Sequence, residues 1–374
     1  MSILIPYNQL SEDQKDIIKR VSTSNDNLFV EGPPGAGKTL ISLYVLRDIA
    51  TKQNIRPLLM MYNHSLYGFL ITSLKELNIS DNVTIATKDK FFWDMARKNG
   101  IRPDSNLDYD EKYDYILSNL QKLDIKKEYD ITLIDEVQDL MPEEWELIKQ
   151  MSHKVLSLGD FDQGIYNTKI DKESIKRHGV YERLISIFRF HKHIAKLANF
   201  FSKNGDDLEK KVKSESSKQP QLIDTQYSNE FNDMTDIIKE LRRENKHIGV
   251  ICPDIKRLNS FSSHLRGQKV EHSYYPNNKD LRDHDFTSTD PLLITSFSAK
   301  GLEFEKVILF GFDSTSWSVK KAREEDRLKS TIFVGITRSK SDLFIIRNEK
   351  SIPEIKNLKV EKEKVQEFNI DDIF

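Results

Sequence analysis

Residues 32–39 read Gly-Pro-Pro-Gly-Ala-Gly-Lys-Thr, the pattern of a phosphate-binding loop. Glycines let such a loop turn tightly and point its backbone N–H groups at phosphate oxygens. The lysine supplies a positive charge for the β- and γ-phosphates, and the threonine hydroxyl can bind Mg²⁺. The expected ligands of ATP and Mg²⁺ in this loop are Gly32, Gly35, Gly37, Lys38 and Thr39.

The sequence on either side of the loop agrees with this interpretation. Leu28–Val30 is a short apolar run suited to a buried strand, and apolar residues recur at helical spacing from Leu40 to Ile49. The order strand, loop, helix places the phosphates at the N-terminus of a helix, which favours anions.

Composition bounds the class of protein. The chain has 374 residues, 38% hydrophobic and 31% charged, which suits a globular protein of two domains. Its net charge of −2 gives no overall signature of nucleic-acid binding, although a cleft can be locally basic. The single cysteine, Cys252, excludes an internal disulfide and fits a reducing compartment. With no apolar stretch long enough for a membrane span and no secretory signal, we expect a cytoplasmic protein without membrane contact.

Short apolar runs alternate with helical periods, which predicts an α/β fold with parallel sheets. We place a domain boundary near residue 186, giving an ATP-binding domain at 1–186 and a second α/β domain at 187–374. Residues 206–220 are dense in Lys, Glu and Ser and predict an exposed connection. The predicted strands are Leu28–Val30, Leu58–Tyr62, Val83–Ala86, Ile131–Ile134, Val155–Leu158, Ile248–Cys252, Leu292–Thr295, Val307–Phe310 and Leu343–Ile346.

Polar residues that follow later strands complete the predicted nucleotide site. The strand Ile131–Ile134 runs directly into Asp135, a candidate Mg²⁺ ligand, and Glu136, a candidate general base. Gln163 follows the next strand and could sense the γ-phosphate. Gln14 precedes an amphipathic helix and could read the adenine edge, although a surface helix residue is the simpler interpretation.

The full set of segments resembles the motifs of superfamily 1 helicases of the UvrD/Rep type. The phosphate-binding loop alone is generic, whereas Ser298–Phe304 and Thr337-Arg338 are more specific to that family. The matching segments, in the family's order, are Leu10–Gln14, Gly32–Thr39, Met61–Ser65, Thr87, Asp135–Asp139, Gly159–Tyr166, Phe188-Arg189, Thr295–Phe304 and Val334–Arg338.

The resemblance implies two RecA-like P-loop domains with parallel sheets and ATP in the cleft between them. It implies that Phe188 stacks on adenine, that Glu303 contacts the ribose, and that the N–H of Gly301 contacts the γ-phosphate. Arg189 and Arg338 would act as arginine fingers, although Phe188-Arg189 could also be part of a packed helix. The nucleic-acid contacts that it implies are Tyr62, Asn63, Thr87, Tyr166, Thr295 and Phe297, and the aromatic ones could instead serve core packing.

The chain also departs from the family. About 45 residues separate Thr87 from the strand at Ile131 and about 105 separate Arg189 from Thr295, so we expect little or no accessory subdomain. Phe297 stands where the family often has histidine, and no tryptophan follows Tyr166 closely. These differences weaken the case for duplex unwinding.

The preferred function is an ATP-dependent helicase or translocase on single-stranded DNA. An ATPase switch subunit of a multi-protein complex, for example in repair or in defence against phage, is the alternative, and it requires a protein partner. RNA is not excluded as the nucleic acid, because no motif distinguishes it from DNA.

Overall fold

A computed structural model gives the fold and describes residues 4–52, 54–62, 64–164, 170–203, 205, 207–216, 218–275, 281, 284–285 and 288–360. Its strands form two six-stranded sheets and one two-stranded sheet. All strand pairs in the described part of the chain are parallel. Parallel neighbours require crossover connections, and the helices that supply them cover both faces of each large sheet.

The first large sheet contains the phosphate-binding loop. Its strands are β1 (Leu28–Glu31), β2 (Pro57–Met61), β3 (Thr84–Thr87), β4 (Tyr129–Asp135), β5 (Ser152–Gly159) and β6 (Val180–Arg183), in the spatial order β3-β2-β4-β5-β1-β6. The helices are α1 (Glu12–Thr23), α2 (Lys38–Ala50), α3 (His64–Glu76), α4 (Lys88–Lys98), α5 (Tyr109–Leu120), α6 (Pro142–Met151) and α7 (Lys172–Lys176). Because β4, β5 and β1 are neighbours, the segments after their carboxyl ends meet at one edge.

Burial on both faces explains why the inner strands are continuous apolar runs. In β2, Leu59 and Met61 pack in the core under α1–α3, whereas Leu58 and Met60 pack in the core under α4–α6. A strand with only one buried face would instead alternate apolar and polar residues.

The second large sheet has the same parallel construction. Its strands are β9 (Gln221–Asp224), β10 (Ile248–Cys252), β11 (Ser273–Tyr274), β12 (Leu292–Thr295), β13 (Phe304–Leu309) and β14 (Ser339–Arg347), in the order β11-β12-β10-β13-β14-β9. The small sheet pairs β7 (Ile187–His191) with β8 (Val212–Ser214). The helices of this half are α8 (Lys192–Asn199), α9 (Glu230–Leu241), α10 (Ile255–Gly267), α11 (Trp317–Glu324), α12 (Leu328–Ile336) and α13 (Pro353–Lys356).

The predicted α/β class with parallel sheets in two halves is confirmed. Each of the nine predicted strands overlaps an observed strand, whereas β6, β7, β8, β9 and β11 were not predicted because they are short and partly polar. Between β3 and β4 the described chain forms two helices, α4 and α5, which agrees with the prediction of little inserted structure. The boundary at residue 186 stays a prediction.

One local expectation and one alternative interpretation were wrong. Residues 206–220 are not simply an exposed connection, because Leu208 and Val212 are buried at 1% and 6% exposure and β8 pairs with β7. Phe188-Arg189 lies in a strand rather than a helix. Among the described helices, none has the length and apolar character needed to cross a bilayer.

Candidate functional site

At two positions of the loop after β1, the backbone has a conformation that only glycine adopts without strain. Gly35 and Gly37 have φ values of +77° and +86°. A Cβ on Gly37 would lie 2.3 Å from Gln14 Nε2, and a Cβ on Gly35 would lie 2.4 Å from Arg189 Cβ. Both the backbone angle and the available space therefore require glycine at these two positions.

Lys38 and Thr39 place a cation and a hydroxyl at the start of α2. Lys38 Nζ donates to the carbonyl oxygen of Gly32 at 2.8 Å, and Thr39 Oγ1 donates to Asp135 Oδ2 at 2.7 Å. Burial, and then the charge of Glu136, raise the pKa of Asp135 to about 6. A hydroxyl beside a carboxylate is an oxygen donor pair that suits Mg²⁺, and the glycine loop suits phosphate. The residues present therefore fit a magnesium nucleotide.

Glu136 follows β4 in an uncommon backbone conformation, with φ of +64°. Its carboxylate accepts a hydrogen bond from Gln138 Nε2 and lies 3.8 Å from Lys300 Nζ. Burial opposes its ionisation, but the charges of Lys300 and Lys38 hold the pKa of Glu136 below its usual value. The carboxylate is thus unprotonated at neutral pH, which is the state a general base needs.

Gln163 and Arg338 join the two halves beside this carboxylate. Arg338 Nη2 donates to Gln163 Oε1 at 2.7 Å, and Gln163 Nε2 donates to Asp160 Oδ2 at 2.9 Å. Arg338 is 1% exposed and also donates to the carbonyl oxygens of Val334 and Leu302, at 3.1 and 3.2 Å. Burial lowers the pKa of Arg338 to about 9, so its guanidinium stays charged at neutral pH.

Strand β7 brings Phe188 and Arg189 against the phosphate-binding loop. The N–H of Phe188 donates to the carbonyl oxygen of Gly35 at 3.0 Å, and its side chain is 42% exposed. Arg189 donates to Glu303 Oε1 and to the carbonyl oxygen of Thr337, the latter at 3.3 Å. Burial opposes ionisation of Glu303, but the adjacent Arg189 helps to hold its pKa below the usual value.

Gly301 also lies at the junction of the two halves. Its φ is +86°, and a Cβ on it would lie 3.5 Å from Leu66 Cβ in α3. The structure therefore brings Gly301, Arg189 and Arg338 of the second half to residues of the first half that surround the loop.

Gln14 is buried rather than exposed, so its interpretation as a surface residue was wrong. Its side chain is 3% exposed, accepts from the N–H of Ser11 at 2.9 Å and donates to the carbonyl oxygen of Ala36 at 2.8 Å. The amide thus caps α1 and supports the phosphate-binding loop. Its contact with adenine stays a prediction.

We expect Gln14→Ala to lower the free energy of unfolding by about 1–3 kcal/mol, because the buried carbonyl of Ala36 and the partly buried N–H of Ser11 lose their partner. If Gln14 mainly supports the loop, the KM values for ATP and GTP should rise together. Urea unfolding and steady-state kinetics check both points, with the exposed Gln9→Ala as control. A rise in KM confined to ATP would contradict the supporting role and indicate adenine recognition.

The predicted nucleic-acid contacts in the first half are only partly described. Asn63 and Tyr166 lie outside the described residues. The Tyr62 ring is half-buried and lies 4.8 Å from Lys88 Nζ. Thr87 is the residue before α4 and is 1% exposed, so its side chain does not reach the surface in this conformation.

The predicted contacts in the second half follow β12. Thr295 Oγ1 accepts from the N–H of Ser298 at 3.1 Å and shares a hydrogen bond with the Ser298 hydroxyl at 2.9 Å. Phe297 is half-buried, and the Arg327 guanidinium carbon lies 5.4 Å from its ring centre. Thr295 therefore stabilises the turn that contains Phe297 through hydrogen bonds to Ser298.

Sequence reasoning missed three residues near these sites. Lys300 and Asp139 form a buried ion pair across the two halves, with Nζ 2.6 Å from Oδ2. Both residues stood in recognised motifs, but nothing local in the sequence indicated that they meet. Trp317 at the start of α11 is 68% exposed and was not singled out at all.

Comparisons with known proteins agree with the order of these motifs. A model described as an AAA domain matches residues 14–169, and a model of the UvrD-like helicase C-terminal domain matches residues 278–350. No curated protein matches the chain.

Solved structures of helicases are similar at low identity. Arterivirus nonstructural protein 10 (helicase) is 15% identical with a TM-score of 0.42, over 89% of this chain and 62% of that one. The C-terminal domain of a possible DNA helicase from Lactobacillus plantarum is 14% identical with a TM-score of 0.36, over 46% of this chain and 94% of that one. The chain thus spans about three fifths of the arterivirus protein.

Both family models match in the order that the motifs predict, one around the phosphate-binding loop and one around the Arg338 segment. The chain therefore combines an AAA domain with a UvrD-like helicase C-terminal domain, which supports a helicase of the UvrD-like superfamily 1 type.

Proposed function

We propose that this helicase-type ATPase hydrolyses ATP between residues 1–186 and 187–374 and uses the cycle to move on single-stranded DNA. One observation carries the proposal. Arg338 of the second half contacts Gln163 of the first at 2.7 Å, beside Glu136 and the phosphate-binding loop. A site that needs residues from both halves links nucleotide turnover to their relative position.

Each catalytic step has a candidate residue. Glu136 orients and deprotonates the attacking water, and Arg338 and Arg189 stabilise charge on the transferring phosphoryl group, with Gln163 beside them.

Thr39 and Asp135 would hold Mg²⁺, which when bound neutralises charge on the phosphate oxygens. Lys38, together with the N–H groups of Gly32, Gly35 and Gly37, would hold the phosphates.

The remaining nucleotide contacts are proposed from the family resemblance. Phe188, exposed beside the loop, would stack on adenine, and Glu303 and Gly301 would contact the ribose and the γ-phosphate. Arg189 is already paired with Glu303, so nucleotide binding would rearrange or share this pair.

For the nucleic-acid surface, we propose the carboxyl edges of both large sheets. Tyr62 follows β2 and Thr87 ends β3, whereas Thr295 ends β12 and Phe297 follows it. Asn63 belongs to this set by resemblance and lies outside the described residues. In the second half, β12 and β10 are adjacent, and Ser316, the neighbour of Trp317, contacts Asp254 just after β10, so we place Trp317 on the same edge as Phe297. Tyr166, which belongs to this set by resemblance, lies outside the described residues.

Trp317 gives this edge an exposed stacking surface. Its neighbour Ser316 donates through Oγ to Asp254 Oδ2 at 2.6 Å, which ties it to the loop after β10. Lys321 Nζ lies 5.0 Å from the Trp317 ring centre and adds positive charge. An aromatic ring with a nearby cation suits bases and phosphates of a single strand.

We expect Trp317→Ala to weaken single-stranded DNA binding by about 1–3 kcal/mol, the usual worth of one stacked base. Fluorescence anisotropy with a labelled oligonucleotide measures this loss. Tyr115→Ala is the matched control, because Tyr115 is an exposed aromatic on α5 at 44% exposure. Equal affinities of the wild type and Trp317→Ala would remove this edge from the proposed surface.

Displacement of streptavidin from the end of a biotinylated single strand tests movement directly. A motor should displace it in the presence of ATP and from one strand end only. ATP hydrolysis without displacement from either end would favour the switch subunit that acts with a protein partner. Running the same assay on RNA decides between the two nucleic acids.

A further inference from the structure

Lys300 is a buried lysine of the second half whose ammonium lies in the first half. It follows β12 in the turn at 295–301, is 1% exposed, and sits five residues after Thr295. The turn is held by the N–H of Ala299, which donates to the carbonyl oxygen of Thr295 at 2.9 Å. A buried ammonium is costly unless charged or polar partners surround it.

Three groups that surround this ammonium come from two segments of the first half. Lys300 Nζ donates to Asp139 Oδ2 at 2.6 Å and to the carbonyl oxygen of Gln163 at 2.8 Å. It also lies 3.8 Å from Glu136 Oε2. One side chain thus joins the segment after β4, which carries the proposed general base, to the segment after β5.

These contacts place Glu136 beside a charged group of the second half. Glu136 has a strained backbone at φ of +64°, and such a conformation persists only where its surroundings impose it. Asp139 is fully buried at 0% exposure, and its Oδ1 lacks a hydrogen-bond partner among the described residues. The hydrogen bond from Lys300 is therefore the main polar contact of the Asp139 carboxylate.

We propose that Lys300 is a positioning residue that holds Glu136 in its catalytic position only while the two halves are engaged. The inference rests on the proposed function and adds a regulatory link to it. Thr295 and Phe297, the proposed nucleic-acid contacts, are in the same short turn as Lys300. A strand bound at this turn would act on the water-activating carboxylate through Lys300, and this would link nucleic-acid binding to hydrolysis.

The first test is Lys300→Met, which keeps the apolar stem and removes the ammonium. We expect kcat with saturating single-stranded DNA to fall about 10²-fold, the loss typical of a misplaced catalytic group. The KM for ATP and the Kd for a fluorescent ATP analogue should stay close to wild type. Lys306→Met is the matched control, because Lys306 is also 1% exposed but pairs with Glu244 inside the second half.

A second variant separates positioning from simple stability. In Asp139→Leu/Lys300→Met both charges are gone, so the thermal midpoint should recover while kcat stays low. Asp139→Asn alone keeps the ammonium between Gln163 and Glu136 and should lose much less activity than Lys300→Met. Recovery of kcat in the double variant, or an equal loss in Asp139→Asn, would overturn the inference.

Turnover of the wild type distinguishes a failure of the proposed function from a failure of the inference about Lys300. If the wild type shows no DNA-stimulated hydrolysis, the proposed function is contradicted, and the inference with it. If the wild type is stimulated and Lys300→Met is stimulated equally, only the inference about Lys300 is contradicted.

Discussion

Replacing Glu136 with glutamine is expected to reduce kcat for ATP hydrolysis about 10²–10⁴-fold, the usual contribution of a positioned general base. The amide keeps the size of the side chain and can still contact Gln138, but it cannot take a proton from water. The Kd for a fluorescent ATP analogue should change little, because Glu136 lies next to the proposed Mg²⁺ ligand Asp135 and is not part of the phosphate-binding loop. Single-turnover hydrolysis and equilibrium binding measure the two effects separately.

Glu146→Gln is the matched control for this substitution, because Glu146 is an exposed residue on α6. It should hydrolyse ATP at the wild-type rate. A Glu136→Gln variant with wild-type kcat would show that another group activates the water.

Arg338→Lys should lower kcat by about 10³–10⁵-fold, the range found for loss of an arginine finger. Lysine keeps the positive charge but cannot reproduce the planar fork that contacts Gln163, Val334 and Leu302 together. Because Arg338 is buried, we also expect some loss of thermal stability. Rates should therefore be compared at a temperature where both proteins are folded, as circular dichroism can establish.

The control for Arg338 is Arg323→Lys, which changes an arginine that pairs with Glu354 at the surface, with Nη2 2.7 Å from Oε1. Exposed pairs of this kind contribute little to stability. If Arg338→Lys and Arg323→Lys had the same kcat, the proposed role of Arg338 would be wrong.

Contiguous motifs could be predicted from sequence because the residues that act together are neighbours in the chain. The loop at 32–39 needs a strand before it and a helix after it, and both patterns were present. Asp135 and Glu136 could be assigned for the same reason, since an apolar strand leads straight into them. Their proposed chemical roles still await the substitutions described above.

The contacts between the two halves could not be predicted in this way. Lys300 and Asp139 are 161 residues apart in sequence, so no local period or spacing connects them. Gln14 has the sequence of an ordinary helix start, and only the fold shows that its amide meets the loop at Ala36. Strand β7 was missed because Ile187–His191 is short and its mixed pattern suits a helix equally well.

Steady-state ATP hydrolysis by the purified chain, with and without single-stranded DNA, tests the central claim most directly. We predict strong stimulation by DNA that is absent in Lys38→Ala and in Glu136→Gln. Hydrolysis that is indifferent to DNA, or absent under both conditions, would contradict a motor that works alone.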